Sequence, residues 1–378
     1  MATSVPRWRP RAAGGRATDV AHDQQTARPG LWPRLDDRIG LSALRYPVPA
    51  HANAFWYTLG GITLVGVVVL GVTGLWLAQD YNPDPTGARA SVMYIQNTAP
   101  FGDVVRGVHV WMAYLVVLTA SLHLVRVFVT GAYKAPRELN WLVGLALLAT
   151  LLFGGVLTGT VLRWDQAGYE ALARNAAAAS LLGGVGGFFS PGFTSSVSML
   201  PRLYAAHVSI TPLGLALLLI AHILLVKRHD LAPTRAQADA GEAPGGRLPR
   251  ERLAEHFPIH LRKSLGYGLA VVGLAGTLGV LFPQRIGPAP DPMLEVTNPP
   301  FLFYWLYAVE DWFGSTGTVY SALALFGVLG ALPLIDRSPS RSLHRRRVRG
   351  RASYTSRTPR RLVTSCAAST SGWPTWSS

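Results

Sequence analysis

Six long stretches of this chain carry few or no charges, near residues 55–79, 104–129, 141–163, 204–226, 264–283 and 316–335. Each approaches the ~20 residues that a helix needs to cross the hydrocarbon layer of a bilayer. Backbone polar groups in lipid must bond within their own structure, so the chain reads as an all-α, polytopic membrane protein with six spans. The formal net charge of +15 could suggest nucleic acid. Lys and Arg gather at the N-terminus, in alternate loops and in the tail, however, a pattern that membrane topology explains better.

The loops give an orientation. The 227–263 connection carries Lys227, Arg228, Arg235, Arg247, Arg250, Arg252, Arg262 and Lys263, and the 130–140 connection carries Lys134 and Arg137. Only Arg89 lies in the 80–103 loop, and only Arg285 in the 284–315 loop. Basic loops stay on the cytoplasmic side, so both termini are expected there. Residues 1–50 read as a largely flexible cytoplasmic arm without a signal-peptide core, 231–263 as a cytoplasmic loop, and 337–378 as a basic, disordered tail.

Four histidines sit inside two of the apolar runs. His109 and His123 are 14 residues apart, and His207 and His222 are 15 apart. A helix turns ~100° and rises ~1.5 Å per residue, so each pair falls on roughly one face with ~21 Å between its members. Two facing helices then offer two stacked bis-imidazole sites. An intramembrane imidazole is costly enough that function is its default explanation, and a closed pair of nitrogen ligands suits haem iron passing electrons. The competing reading is four satisfied core histidines, which would have to keep this register by accident.

Neighbouring residues bear on the same question. The first run contains Gly60, Gly61, Gly66, Gly71 and Gly74. Small residues serve helix packing, yet the Gly60–Gly74 spacing equals that of His109 and His123, and Gly144 and Gly159 in the third run echo the second histidine spacing. Clearance for two flat rings is the alternative. Arg106 and Arg126 each share a helix face with one histidine and lie farther toward a membrane surface. There a guanidinium can pair bidentately with a carboxylate or simply snorkel to headgroups. Pro212 removes a backbone hydrogen bond soon after His207 and should bend that helix. Residues 164–203 are amphipathic or glycine-rich, with Trp164, Asp165, Gln166 and Tyr169 at the outer edge, and suggest a surface-lying helix over a pocket.

The single cysteine, Cys366, lies in the Ser/Thr/Arg-rich tail, so disulfides and cysteine-ligated clusters are excluded from the core. Glycine-rich phosphate loops and GxSxG elbows are absent too.

The stretches LGGITLVGVVVLGVTG, RGVHVWMAY, SLHLVRVFVTGAYKAPRELNW, TGTVLRWDQAGYE, RLYAAHVSITPLG and AHILLVKRHD, in this order across roughly 45–230, resemble cytochrome b of cytochrome bc and cytochrome bf complexes. The KxPRELxW sequence is closest to the bf and Gram-positive branch. This resemblance implies a di-haem four-helix bundle over 51–230, followed by a C-terminal region with two further spans over 264–336. It implies two non-covalent b haems, the outer on His109 and His207 and the inner on His123 and His222. Arg106 and Arg126 are implied for propionates, Gly60, Gly74 and Gly159 for ring clearance, Lys227 for an inner quinone site, and Tyr169 with Trp164, Asp165 and Gln166 for an outer quinol pocket. The implied function is quinol–cytochrome c reductase chemistry coupled to proton translocation in a bacterial inner membrane. A Rieske iron–sulfur protein, a c-type cytochrome or equivalent, membrane lipid and a dimeric complex are the implied partners, and nucleic acid is not among them. The resemblance also shows departures. Phe55, Trp56, Tyr57 and Thr58 stand where one branch attaches an extra haem covalently, so none is expected here. The outer pocket's Pro-Glu-Trp-Tyr is replaced by Pro300, Phe301, Leu302 and Phe303, and Phe301 cannot accept a proton. Glu310 and Asp311 are candidate substitutes, and Ser264 stands near the position of the family's inner-site acid. A di-haem anchor of another oxidoreductase, with one quinone site, is the alternative.

Overall fold

Apolar side chains point outward along most of the long helices, as a membrane requires and water forbids. Val68, Val72, Leu75, Leu122, Leu217 and Leu224 are all exposed, while His109, His123, His207 and His222 and the glycines that meet them face inward. The computed structural model describes residues 45–341 except 188, 254, 296 and 339, together with residue 38. Most of the expected arm and tail, Cys366 included, lies outside the described residues. Among the described residues, six helices are long and apolar enough to span a bilayer: α1 (Phe55–Asp80), α3 (Gly102–Val129), α4 (Glu138–Leu162), α6 (Met199–His229), α7 (Phe257–Leu281) and α8 (Phe301–Ile335). Between them lie α2 (Ala88–Asn97) and α5 (Gln166–Ser180), the latter the expected helix of the 164–203 segment.

Helices α1, α3, α4 and α6 form a four-membered ring, each packed on the next. Its mid-depth core is Met112, Val116, Val117, Leu151, Val156 and Leu215. α7 lies against α1 and α3, and small residues set its approach: a Cβ on Gly107 would come within 3.0 Å of the Gly279 backbone, and one on Gly61 within 2.6 Å of Ser264. α7 begins at Phe257 and α8 at Phe301, both earlier than the apolar runs suggested, because Pro at the second position of α7 and the Phe301–Phe303 turn start helices that polar residues do not interrupt. Gly314, with φ +65°, breaks the α8 backbone in its first half.

The loops segregate to two ends. At one, the buried Lys134 ammonium reaches Asp336 Oδ1 (2.9 Å), the Ser338 hydroxyl (2.9 Å) and the Ser340 carbonyl (2.7 Å). Arg137 donates to the His229, Asp230 and Gly246 carbonyls there. Pro47–Val48 pairs with Glu255–His256 in an antiparallel ladder at this end, so the last residues of the expected arm and the first of the expected tail join the folded body. At the other end, Asp165 caps α5 through Gly168 N (3.0 Å), pairs with Arg163 (2.5 Å) and accepts from Gly287 N (2.8 Å). Gln166 adds bonds to the Leu294 carbonyl and the Asp291 amide, which fasten the loop before α8 over the bundle. Every basic connection singled out above lies at the first end.

Candidate functional site: two imidazole pairs in the bundle

His109 and His123 project from α3, and His207 and His222 from α6. Across the bundle the His109 and His207 rings stand 6.4 Å apart between centroids, and His123 and His222 also stand 6.4 Å apart. Two metal–nitrogen bonds of roughly 2 Å plus the inner half of each ring sum to about 6 Å. Each pair is therefore spaced to clasp one metal centre between its Nε2 atoms, none of which forms a hydrogen bond with a described residue.

The unequal sequence spacings reach this alignment through two π-helical turns. On a regular helix the spacing of 15 would turn His222 ~60° away from the face of His207. Ala206–Ile210 is π-helical instead and absorbs the residue in a wider turn. Thr150–Leu157 of α4 does the same between Gly144 and Gly159. The two turns face each other, with Thr211 Oγ1 donating to the Gly154 carbonyl at 2.9 Å. Pro212 sits directly after the π turn, where the helix has already lost its regular ladder.

Four glycines stand behind the four rings. A Cβ on Gly60 would come 3.2 Å from His123 Cε1, on Gly74 3.2 Å from His109 Cε1, on Gly144 3.6 Å from His222 Cε1, and on Gly159 3.1 Å from His207 Cε1. Of the remaining α1 glycines, Gly61 and Gly66 admit Ser264 and Val116, whereas Gly71 has open space. Helix packing thus accounts for Gly61 and Gly66, while Gly60, Gly74, Gly144 and Gly159 each face an imidazole. The space is given to the imidazole itself, which lets it stand upright between backbones.

Arg106 is buried and donates from Nη1 to Gln96 Oε1 (2.5 Å) and the Gln284 carbonyl (2.6 Å), while its Nη2 is buried and bonds no described residue. An unsatisfied donor of a charged group is costly, so Nη2 suits an anionic oxygen such as a carboxylate. Arg126, at the other layer, donates to the Trp56 carbonyl (3.2 Å) and lies 4.6 Å over the Tyr57 ring. Lys227 lines a small, largely apolar pocket of about 80 Å³ with Tyr46, Val48, Asp230, Phe257 and His260. Burial and the charge of Asp230 push the Tyr46 phenol up, so it stays a hydroxyl there.

The residues expected at the outer pocket edge are engaged in fastening loops: Trp164 donates to the Pro85 carbonyl (2.8 Å), and Tyr169 stands edge-on to Trp164 at 6.1 Å. Glu310 is paired with Arg174 at 3.3 Å, and Asp311 is exposed. Ser264 is buried against Gly61 with no hydrogen-bond partner for its hydroxyl. Thr73 and Thr158, each 2.8 Å from an imidazole Nδ1, were not singled out by sequence reasoning. The signal was the Thr-Gly dipeptide repeated at Thr73–Gly74 and Thr158–Gly159.

Residues 43–230 match the family model described as cytochrome b/b6/petB. Cytochrome b6 of Heliobacterium mobile is 41% identical over 194 residues, which are 50% of this chain and 91% of that protein. Cytochrome b6 of Synechocystis is 38% identical over 208 residues, 52% of this chain and 92% of that one. A solved structure titled hyperthermophilic respiratory Complex III shares the fold, with a TM-score of 0.67 at 24% identity over 83% of this chain and 85% of that one. With its six spans and paired imidazoles, this chain belongs to the cytochrome b/b6 family of multi-pass, haem-binding electron-transport proteins.

Proposed function

We propose that the chain is the cytochrome b subunit of a quinol–cytochrome c reductase-like complex in a bacterial inner membrane, with both termini cytoplasmic. His109 and His207 ligate an outer b haem, and His123 and His222 an inner one, both held without covalent attachment. The equal 6.4 Å separation of the two ring pairs is the observation that carries this reading. Haem iron supplies reversible one-electron oxidation and reduction at each depth. The chain's own residues fix that depth, keep water out with the Met112–Val116 layer, and leave Arg106 Nη2 for an outer carboxylate. Arg126 serves the inner layer in the same way. Lys227 and its pocket provide an inner quinone site, where an ammonium can donate to a quinone oxygen. Tyr169 and Trp164 border the outer quinol site. A Rieske protein and a c-type cytochrome or equivalent complete the assembly, which couples quinol oxidation to proton translocation.

Two observations favour a second reading. Phe301 brings no acid to the outer side, and Glu310 is held by Arg174. A di-haem anchor of another oxidoreductase, with a single quinone site, accommodates both facts. Purifying the native assembly tests the two together: two b haems per chain and a Rieske cluster support the first reading, two b haems without the cluster support the second, and no b haem overturns both.

A further inference from the structure

The four imidazoles differ at Nδ1. His109 Nδ1 lies 2.8 Å from Thr73 Oγ1, and His207 Nδ1 lies 2.8 Å from Thr158 Oγ1. Each hydroxyl already gives its proton to a carbonyl one turn back, Thr73 to Val69 at 2.7 Å and Thr158 to Gly154. A hydroxyl has one proton and two lone pairs. In this network the oxygen accepts from the ring, so Nδ1 carries the proton and Nε2 faces the opposite ring with its lone pair free.

The other layer lacks this arrangement. Leu59 and Val143 precede Gly60 and Gly144, where Thr73 and Thr158 precede Gly74 and Gly159. His123 Nδ1 and His222 Nδ1 are buried and form no hydrogen bond with a described residue. The two layers are thus alike in ring spacing and glycine support and unlike in what holds the far nitrogen.

We propose that Thr73 and Thr158 are positioning residues that fix the tautomer and orientation of the outer ligand pair and raise its donor strength, which makes the two metal sites electronically distinct. The proposal rests on the reading of the histidines as haem ligands. An acceptor on the far N–H raises the basicity of a ligating imidazole, and loss of such a partner typically weakens metal affinity or activity by about 10–100-fold. A more basic ligand favours the more highly charged, oxidised iron, so removing the hydroxyls should raise the reduction potential of one site only.

The test is redox titration of the purified native assembly, followed by b-haem absorbance and by paramagnetic resonance of the oxidised form. Thr73→Val and Thr158→Val keep the side-chain shape and remove the acceptor. Each should shift one haem's midpoint upward and alter its resonance signature, the double variant more so, with the other haem unmoved. Thr73→Ser and Thr158→Ser should restore wild-type values. Thr63→Val is the control, because the Thr63 hydroxyl bonds Leu59 and Thr119 and no histidine. Loss of one haem alone from a folded Val variant also supports the proposal. Unchanged potentials, equal shifts in both haems or loss of both would overturn it. A wild-type assembly without b haems would instead defeat the functional reading on which it stands.

Discussion

Thr211 and Gly154 join the two π-helical turns of the bundle: the Thr211 hydroxyl donates to the Gly154 carbonyl at 2.9 Å, between the imidazole layers and nearer that of His207. A π turn leaves its carbonyls poorly paired, and this cross-helix bond, with that of Thr158 to the same oxygen, satisfies one of them. The surplus residue in each helix is therefore stored where its partner helix stores its own.

This storage predicts how the helices respond to length changes. Deleting Ser209 should convert the π turn to regular helix and retain both b-haem signals. Inserting one Ala between Leu218 and Leu219 should rotate His222 by ~100° and abolish the inner signal. Reduced-minus-oxidised difference spectra of membranes read both outcomes, and loss of signal on deletion alone would contradict the account.

The ring pairing makes its own prediction. His207→Ala should remove the haem shared with His109 and leave much of the other, measured as loss of about half the b-type absorbance with one resonance signature intact. Equal loss of both signatures would contradict the pairing.

Clearance behind the rings can be tested by filling it. A side chain at Gly159 would meet His207 Cε1 at 3.1 Å from its first carbon. Gly159→Val should displace the imidazole, with overpacking costing about 1–3 kcal/mol, and lower haem content. Gly71→Val, which meets nothing within 4 Å, should leave haem content unchanged in the same assay.

The Lys134 clasp predicts an acid-sensitive end. Burial raises the Asp336 pKa, but bonds from Tyr133, Lys134 and Ser338 outweigh it and hold the carboxyl below its ordinary value. A depressed folded-state pKa stabilises above the unfolded value, near 3.9 for an aspartate, and that contribution fades as pH falls through the folded value. Thermal unfolding of the detergent-solubilised protein should show this acid loss, and Asp336→Asn should flatten it. Lys134→Met should destabilise by about 1–3 kcal/mol at neutral pH, since Asp336, Ser338 and Ser340 each lose the ammonium donor.

Spans, orientation of the basic loops and the four histidines were legible because bilayer length and helical period act directly on residue order. The register was not. A spacing of 15 reads as 60° of rotation on a regular helix, and no residue between His207 and His222 announces a π turn. Helix starts were hidden as well, because Tyr304 to Phe313 includes Glu310 and Asp311 and looks like loop, whereas Arg174 pairs with Glu310 and keeps it helical. The buried roles of Asp165 and Gln166 depend on the Gly287 and Asp291 amides, more than a hundred residues away, which local pattern cannot supply.

The fastenings at both ends have a consequence for chain continuity. α7 is gripped along α1 and α3 and α8 along α4 and α5, with Gln166 fastening one rim and Lys134 the other, and none of these contacts runs through the covalent passage 235–253. A polypeptide severed in that passage would still present two halves able to recognise each other within the bilayer, so the bundle and its C-terminal pair could be made as separate products and lose none of their mutual fit.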